Sequence, residues 1–378
     1  MKKHHFIILL WFIVSLFGAA MAFSATYVNT TIAGGNAFLG LAKQLIVIFV
    51  VGIAGIYVFM INKNLNMYQL MKRLSKLSMY VSIASLIIVF LAGDSAYRGG
   101  ARMVIPLGPV DFQPLELFKI SLVLYFASEF STVKPSDSLI DSIKKLLIPC
   151  GGLILIIAQP DFGGAMICLI VLFFLLIVNG QNLKHLISLA GLGVLAGGIG
   201  ISFLRDYQKA RIFMWINPFN DVQGSGWQLI NSYVAISNGG VLGSGYMSSI
   251  QKAGYLSQSG SDFIFAIICE ELGFLGALFT VGIIFAIAMM AISIGNSAHE
   301  RFGMLYCYGF AILLLTQTFI NIGGVSGVIP MTGVTLPFIS TGINSYLFLT
   351  LGVFLTVPVS RMSIKEKKRE RKATNFKG

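Results

Sequence analysis

Apolar residues in this chain gather into long runs separated by short polar stretches. A helix needs about 20 consecutive apolar residues to cross the hydrocarbon of a bilayer. Runs of that order centre on residues 6–23, 44–61, 77–93, 115–131, 146–158, 163–180, 185–204, 264–294, 304–322 and 343–360. The pattern predicts an all-α polytopic membrane protein of about ten transmembrane helices, the fifth short and the eighth long. Two stretches break it. Residues 205–261 form an extracellular loop between helices 7 and 8, and loops of that length in compact proteins are usually functional. Within it "GWQLINSYVAIS" sets Trp227, Ile230 and Val234 on one helical face, as a helix lying in the membrane interface would; a short exposed helix packed on its own loop fits equally well. The second, "GGVSGVIPMTGVTLPFISTG" (323–342), carries no charge and too much Gly and Pro for a spanning helix. Irregular backbone at membrane depth survives only where protein buries it or a cavity borders it, so a re-entrant segment is expected before helix 10.

Composition agrees with the pattern. Of 378 residues 56% are hydrophobic and 11% charged, with mean hydropathy +0.82, which excludes an ordinary soluble domain. The net charge of +12 raises nucleic acid as a partner, but the cation positions point to a membrane instead. With both termini in the cytoplasm, 19 of the 27 Lys and Arg fall on that side, as positive-inside topology requires. Residues 1–362 then form one integral membrane domain, and 363–378 a basic cytoplasmic tail beside anionic lipid. Lys2, Lys3, the apolar run and "AMA" at 20–22 resemble a cleavable signal, although an uncleaved first helix keeps the span count even.

Most metal and nucleotide chemistry finds no support. Cys150, Cys168, Cys269 and Cys307 lie within spans without a C-x-x-C, and no His pairs with an acid at ligand spacing. There is no G-x-x-x-x-G-K-[ST] motif, and "GGVLGSG" (239–245) reads as flexible turns before it reads as a phosphate cradle.

The polar residues at the ends of the spans carry the functional signal, since intramembrane acids are expensive. Glu116 and Lys119, three apart, share a helix face as a self-neutralising pair. Asp161 in "QPDFGGA" is placed to cap helix six. Arg205, Lys209 and Arg211 could grip a phosphate or pyrophosphate, or lipid headgroups generally. In "SQSGSDFIFAIICEELG" Asp262 stands at the edge of helix eight, with Glu270 and Glu271 about 12 Å further in. Taken alone, Asp262 reads first as an N-cap. A carboxylate at a cavity mouth with cations nearby would also suit glycosyl transfer from a polyprenyl pyrophosphate sugar, with the acid as general base and the cations on the departing pyrophosphate.

In order along the chain, "GAR" (100–102), "FQPLELFK" (112–119), "QPDFGGA", "INPFNDVQGSGWQ", "ISNGGVLGSG", "QKAGYL", "DFIFAIICEELGFLG" and "FINIGGVSGVIPMTGVTLPFIS" resemble the SEDS family of peptidoglycan polymerases, the FtsW/RodA/SpoVE type. The resemblance runs from about helix two to helix ten. It implies ten helices, polymerisation of lipid II on the outer face of the bacterial cytoplasmic membrane, and a class B penicillin-binding protein as partner. It implies Asp262 as candidate catalytic base, which reverses the preference for a cap. Candidates for substrate contact are Arg102, Glu116, Lys119, Gln159, Asp161, Arg205, Lys209, Arg211, Lys252, Glu270, Asn321 and Ser340, from matching motif or outer position. No metal ligands are assigned, although a divalent cation, Mg or Mn, at the pyrophosphate is chemically plausible. A lipid II flippase and a non-catalytic division scaffold are the alternative readings. "GVTLPFIS" leans towards the division-type, FtsW-like member. The chain departs from the usual pattern at Met103 and Val104, where an Arg and an aromatic are common. It departs again at Gly260, usually His, and at Thr341 in "PFISTGINS", where the pattern reads "PFVSYGGSS".

Overall fold

The structure, a computed structural model, describes residues 2–61, 66–98, 101–108, 110–132, 139–180, 191, 206–224 and 226–375. The helices are α1 (Lys3–Ile32), α2 (Ala37–Gly55, prolonged by a π turn Ile56–Ile61), α3 (Met67–Leu91), α4 (Pro114–Phe130), α5 (Leu139–Ala158), α6 (Phe162–Val178), α7 (Asp206–Ile216), α8 (Trp227–Gly239), α9 (Ile264–Gly295), α10 (Arg301–Val325) and α11 (Ile343–Asn375). Among the described residues six, namely α1, α2 with its π turn, α3, α9, α10 and α11, are long and apolar enough to cross a membrane by length and composition. Helices α4 and α6 run for 17 residues each. The predicted span 185–204 lies outside the described residues.

Burial sorts the helices into layers. Helix α4 starts at Pro114, whose missing N–H costs nothing at a helix start. From Leu115 to Ala127 it is buried almost all round. It and α10 form the centre, packed against each other and against α6, with α3 beside α4 and α9 beside α10. A helix apolar on every face belongs in the interior. On the periphery α1 buries one stripe, Ile7, Trp11, Val14 and Gly18, and leaves Phe6, Leu9 and Ile13 outward. The indole of Trp11 donates to Thr350 Oγ1 at 3.0 Å, tying α1 to α11.

Three elements refine the expectations. Residues 97–112, read as loop, hold two short antiparallel hairpins: β1 (Tyr97–Arg98) with β2 (Ala101–Arg102), and β3 (Ile105–Leu107) with β4 (Val110–Phe112). The basic tail continues α11 as helix to Asn375, so it is an extension of the last span. Helix α8 does occupy 227–239, but its buried positions are Leu229, Asn231, Ser232, Ala235 and Gly239, while Val234 is exposed. This face packs on α9 and α10, and Ser232 Oγ donates to Val325 O. The buried face is one of small residues fitted against neighbouring backbone, where a Cβ on Gly239 would overlap Cys269 O, while Trp227 and Ile230 are half-buried.

Helix α9 is broken at Gly273, with φ +64° and ψ −159°. The break is filled by "GGVLGSG". Ser244 N and Gly245 N donate to Glu270 O and Glu271 O at 2.9 Å each, while Phe274 N and Leu275 N donate to Gly240 O and Val241 O at 2.9 and 3.3 Å. Thus the groups orphaned by the break find partners, as membrane depth demands. At Gly243 φ is +78° and an added Cβ would collide with Glu271 O. Gly243→Ala combines a disfavoured conformation, about 1–2 kcal/mol, with a backbone clash, and is expected to lower the thermal unfolding midpoint in detergent. Gly282→Ala, also in α9 but with no atom within 4 Å of its Cβ, is the control expected to leave the midpoint unchanged or slightly raised.

Candidate active site

Asp262 closes a series of turns (251–263), one residue before Phe263, the N-cap of α9. The cap carries no side-chain hydrogen bond, so Asp262 does not cap the helix. Its backbone is fixed from two sides. Asn321 Nδ2 of α10 donates to Asp262 O at 2.9 Å and to Val334 O at 2.7 Å. Ser340 Oγ donates to Ser261 O at 2.5 Å and accepts from Leu336 N at 2.9 Å. The charge-free segment 326–342 is therefore irregular and packed beside the acid, with Leu336, Phe338, Ile339 and Ser340 buried.

The half-buried Asp262 carboxylate borders a small cleft of about 10 Å³, room for a single water, lined by Asn321, Met331, Thr332, Gly333 and Val334. A Cβ added to Gly333 would lie 3.5 Å from Asp262 Oδ2 and 3.9 Å from Arg211 Nη1. Gly333 thus leaves open the space that carboxylate and guanidinium face. Arg211 Nη1 also reaches Met331 O at 3.4 Å. Burial raises the Asp262 carboxyl above its ordinary range, opposed by the Arg211 charge and by the Ser261 hydroxyl.

A second polar chain meets this cleft. Lys119 Nζ lies 2.8 Å from Glu116 Oε1 and 2.8 Å from Gln317 Oε1, with both charged side chains buried. Gln317 Nε2 in turn donates to Thr335 O at 3.0 Å and to Ser345 Oγ at 3.1 Å. Gln317 and Asn321, four apart on α10, thus hold successive carbonyls of the same irregular strand. Asp161 accepts from Gly164 N at 2.9 Å and caps α6, as its position suggested. Burial raises its carboxyl, while the Lys119 and Arg211 charges pull it down, so both cations lie within electrostatic reach. Gly163 packs on Thr332, its Cβ position 3.0 Å from Thr332 Cβ. Arg211, Asn321 and Ser340 therefore meet the segment that walls Asp262 directly, and Lys119, with Glu116, is linked to it through Gln317.

Other candidates are spent elsewhere. Gln159 Nε2 donates to Leu86 O at 2.7 Å and fastens the α5–α6 turn to α3. Arg102 lies on β2, over the Tyr97 ring at 5.1 Å. Lys209 is exposed on α7, and Arg205 lies outside the described residues. Lys252 and Glu270, read as substrate contacts, hold a loop instead. Lys252 Nζ lies 2.6 Å from Glu271 Oε1 and 3.0 Å from Ser24 Oγ, at 1% exposure. Glu270 accepts the Ser249 hydroxyl and the amides of Ile250 and Gln251, the latter two at 3.2 and 3.4 Å. Most of the polar capacity of these two groups is thus used within the protein. Gln317, Gly333 and Thr335 were missed. Two amides at i and i+4 inside the apolar run 304–322 were the available signal for Gln317 with Asn321.

The FtsW/RodA/SpoVE model, described as "cell cycle protein", matches residues 4–365. The chain belongs to the FtsW/RodA/SpoVE family. That match includes every element around Asp262, and a family member of this helix content is a polytopic membrane protein. Probable peptidoglycan glycosyltransferase FtsW of Bacillus subtilis (strain 168) is 36% identical over 310 residues, 77% of this chain and 75% of that one. Stage V sporulation protein E of the same organism is 32% identical over 92% of this chain and 93% of its own. Among solved structures, a chain of a peptidoglycan synthase complex that coordinates polymerization and crosslinking superposes with a TM-score of 0.74 at 24% identity, covering 94% and 97% of the two chains. Thermus thermophilus rod shape determining protein RodA gives 0.64 at 24% identity, covering 94% and 95%. These two establish that this FtsW/RodA/SpoVE chain shares their fold.

Proposed function

We propose that the protein is a peptidoglycan glycosyltransferase that polymerises lipid II on the outer face of the bacterial cytoplasmic membrane, its termini cytoplasmic and a class B penicillin-binding protein at its side. The names of the FtsW relatives support the activity, and the coupling of polymerization to crosslinking in the synthase complex supports the partner. The observation that carries the mechanism is the Asp262 carboxylate, free of any capping duty, facing a cleft shared with Arg211.

In the reaction the acceptor hydroxyl oxygen bonds to the anomeric carbon of the donor sugar as the bond from that carbon to pyrophosphate breaks. Asp262 takes the hydroxyl proton. The pyrophosphate leaves with both bonding electrons, and Arg211 faces the growing charge. Asn321 and Ser340 hold the Asp262 backbone in place. Among the described residues no three His, Cys, Asp or Glu side chains gather to hold a metal. A Mg or Mn ion bound with the substrate would be held largely by the pyrophosphate oxygens.

The test is glycan synthesis from lipid II by the purified protein, followed against pH. Asp262 acts ionised, and burial raises its pKa above the ordinary value of about 3.9. Activity should therefore rise with pH along an acid limb displaced upward from an ordinary carboxylate. Arg211→Ala removes a charge that lowers this pKa, so its limb should move to still higher pH, with Arg211→Lys falling between. An unmoved limb would disconnect Arg211 from the base.

A further inference from the structure

Between the end of α1 and the turns that lead into α9 lies an open cavity, wide to the surface, of about 420 Å³, of the size that holds small ligands. One wall is Thr26, Asn29 and Thr30; the other runs from Ser257 to Ser261, and Thr341 completes it. No lining residue is charged, and almost every lining side chain ends in a hydroxyl or an amide. The Asn29, Thr30 and Thr341 side chains make no hydrogen bond within the protein among the described residues. Ser261 Oγ donates to Gln258 Oε1 at 2.9 Å, so that wall is held in shape. Without cations the cavity has nothing for a phosphate, and its hydroxyls do not suit an acyl chain. A neutral, polyhydroxylated ligand matches it, since each of its hydroxyls can both donate and accept.

Its place gives the ligand an identity. Ser261 lines this cavity and its chain neighbour Asp262 lines the small cleft, so one peptide separates the two linings. A Cβ on Gly260 would stand 2.5 Å from Thr26 Cγ2 and 3.2 Å from Thr341 Cγ2, so any side chain there would intrude where the walls meet. Both Gly260 and Thr341 are positions where the family pattern carries a ring.

We propose that this cavity is a saccharide subsite that seats a neutral sugar of the glycan strand next to the unit reacting at Asp262. The inference rests on the glycosyltransferase reading. The probe is a peptidoglycan tetrasaccharide without lipid or pyrophosphate, added to the full-length protein in detergent and observed by saturation-transfer NMR. Wild type and Asp262→Asn should both show transfer to the sugar protons, and Asn29→Trp, which fills the cavity, should lose it. With lipid II, Asn29→Trp should give glycan strands several-fold shorter than wild type while the first disaccharide linkage forms at the wild-type rate. Ser257→Trp fills the space from the opposite wall and should do the same, so a misfolded single variant does not decide the matter. Polymer from wild type with no tetrasaccharide transfer, or unchanged binding and strand length in both folded Trp variants, would overturn the subsite and leave the polymerase reading standing. Tetrasaccharide binding lost in the Trp variants, with no polymer from wild type, would keep the subsite and remove the polymerase.

Discussion

Asp262→Asn is expected to reduce glycan synthesis from lipid II by about 10²–10⁴-fold, the usual contribution of a positioned general base, with the protein still folded. The substitution keeps the side chain's shape and removes its capacity to take a proton. Folding should survive because Asn321 and Ser340 hold backbone carbonyls at 262 and 261, and the helix cap at Phe263 uses no side chain. The measurement is strand formation by purified protein beside an unchanged unfolding midpoint in detergent. Full activity in the variant would remove Asp262 from the reaction.

Lys252→Met carries the largest expected effect on stability, a loss of about 3–5 kcal/mol, as when one partner of a buried ion pair is removed. Glu271, fully buried, would keep the hydroxyl of Ser24 at 2.7 Å and the amide of Ser249 at 3.3 Å, but no counter-charge. The ammonium joins three parts of the chain: α1 through Ser24, α9 through Glu271, and the loop that carries Lys252 itself. Unfolding in detergent should shift sharply down for Lys252→Met, and the double variant Lys252→Met with Glu271→Leu should recover part of the loss. A single variant that unfolds at the wild-type midpoint would show the pair to be energetically idle.

The six membrane-length helices were legible because bilayer thickness fixes the length of an apolar run, whereas α7 lies in the stretch read as loop. The Glu116–Lys119 pair and the Asp161 cap were legible for a similar reason, since both depend on spacing within a few residues. What joins Asp262 to its surroundings was not, because Asn321, Ser340, Gly333 and Arg211 come from elements far apart in sequence, and periodicity says nothing about their meeting. The hairpins at 97–112 were hidden by strands of only two and three residues. Lys252 and Glu270 misled because an acid or a cation at membrane depth has the same sequence signature whether it awaits a ligand or already has a partner. The protein-facing side of α8 was not legible, because its burial follows small residues pressed on backbone, which a hydrophobicity pattern does not weigh.

The interruption at Gly273 has a mechanical meaning. An unbroken helix carries torsion from end to end, but here the rungs on either side of residue 273 are bonded to the strap at 240–245. Both halves are thereby tied to one short piece of chain, and the bearing of the shorter half, with the acid at its tip, is set by those bonds.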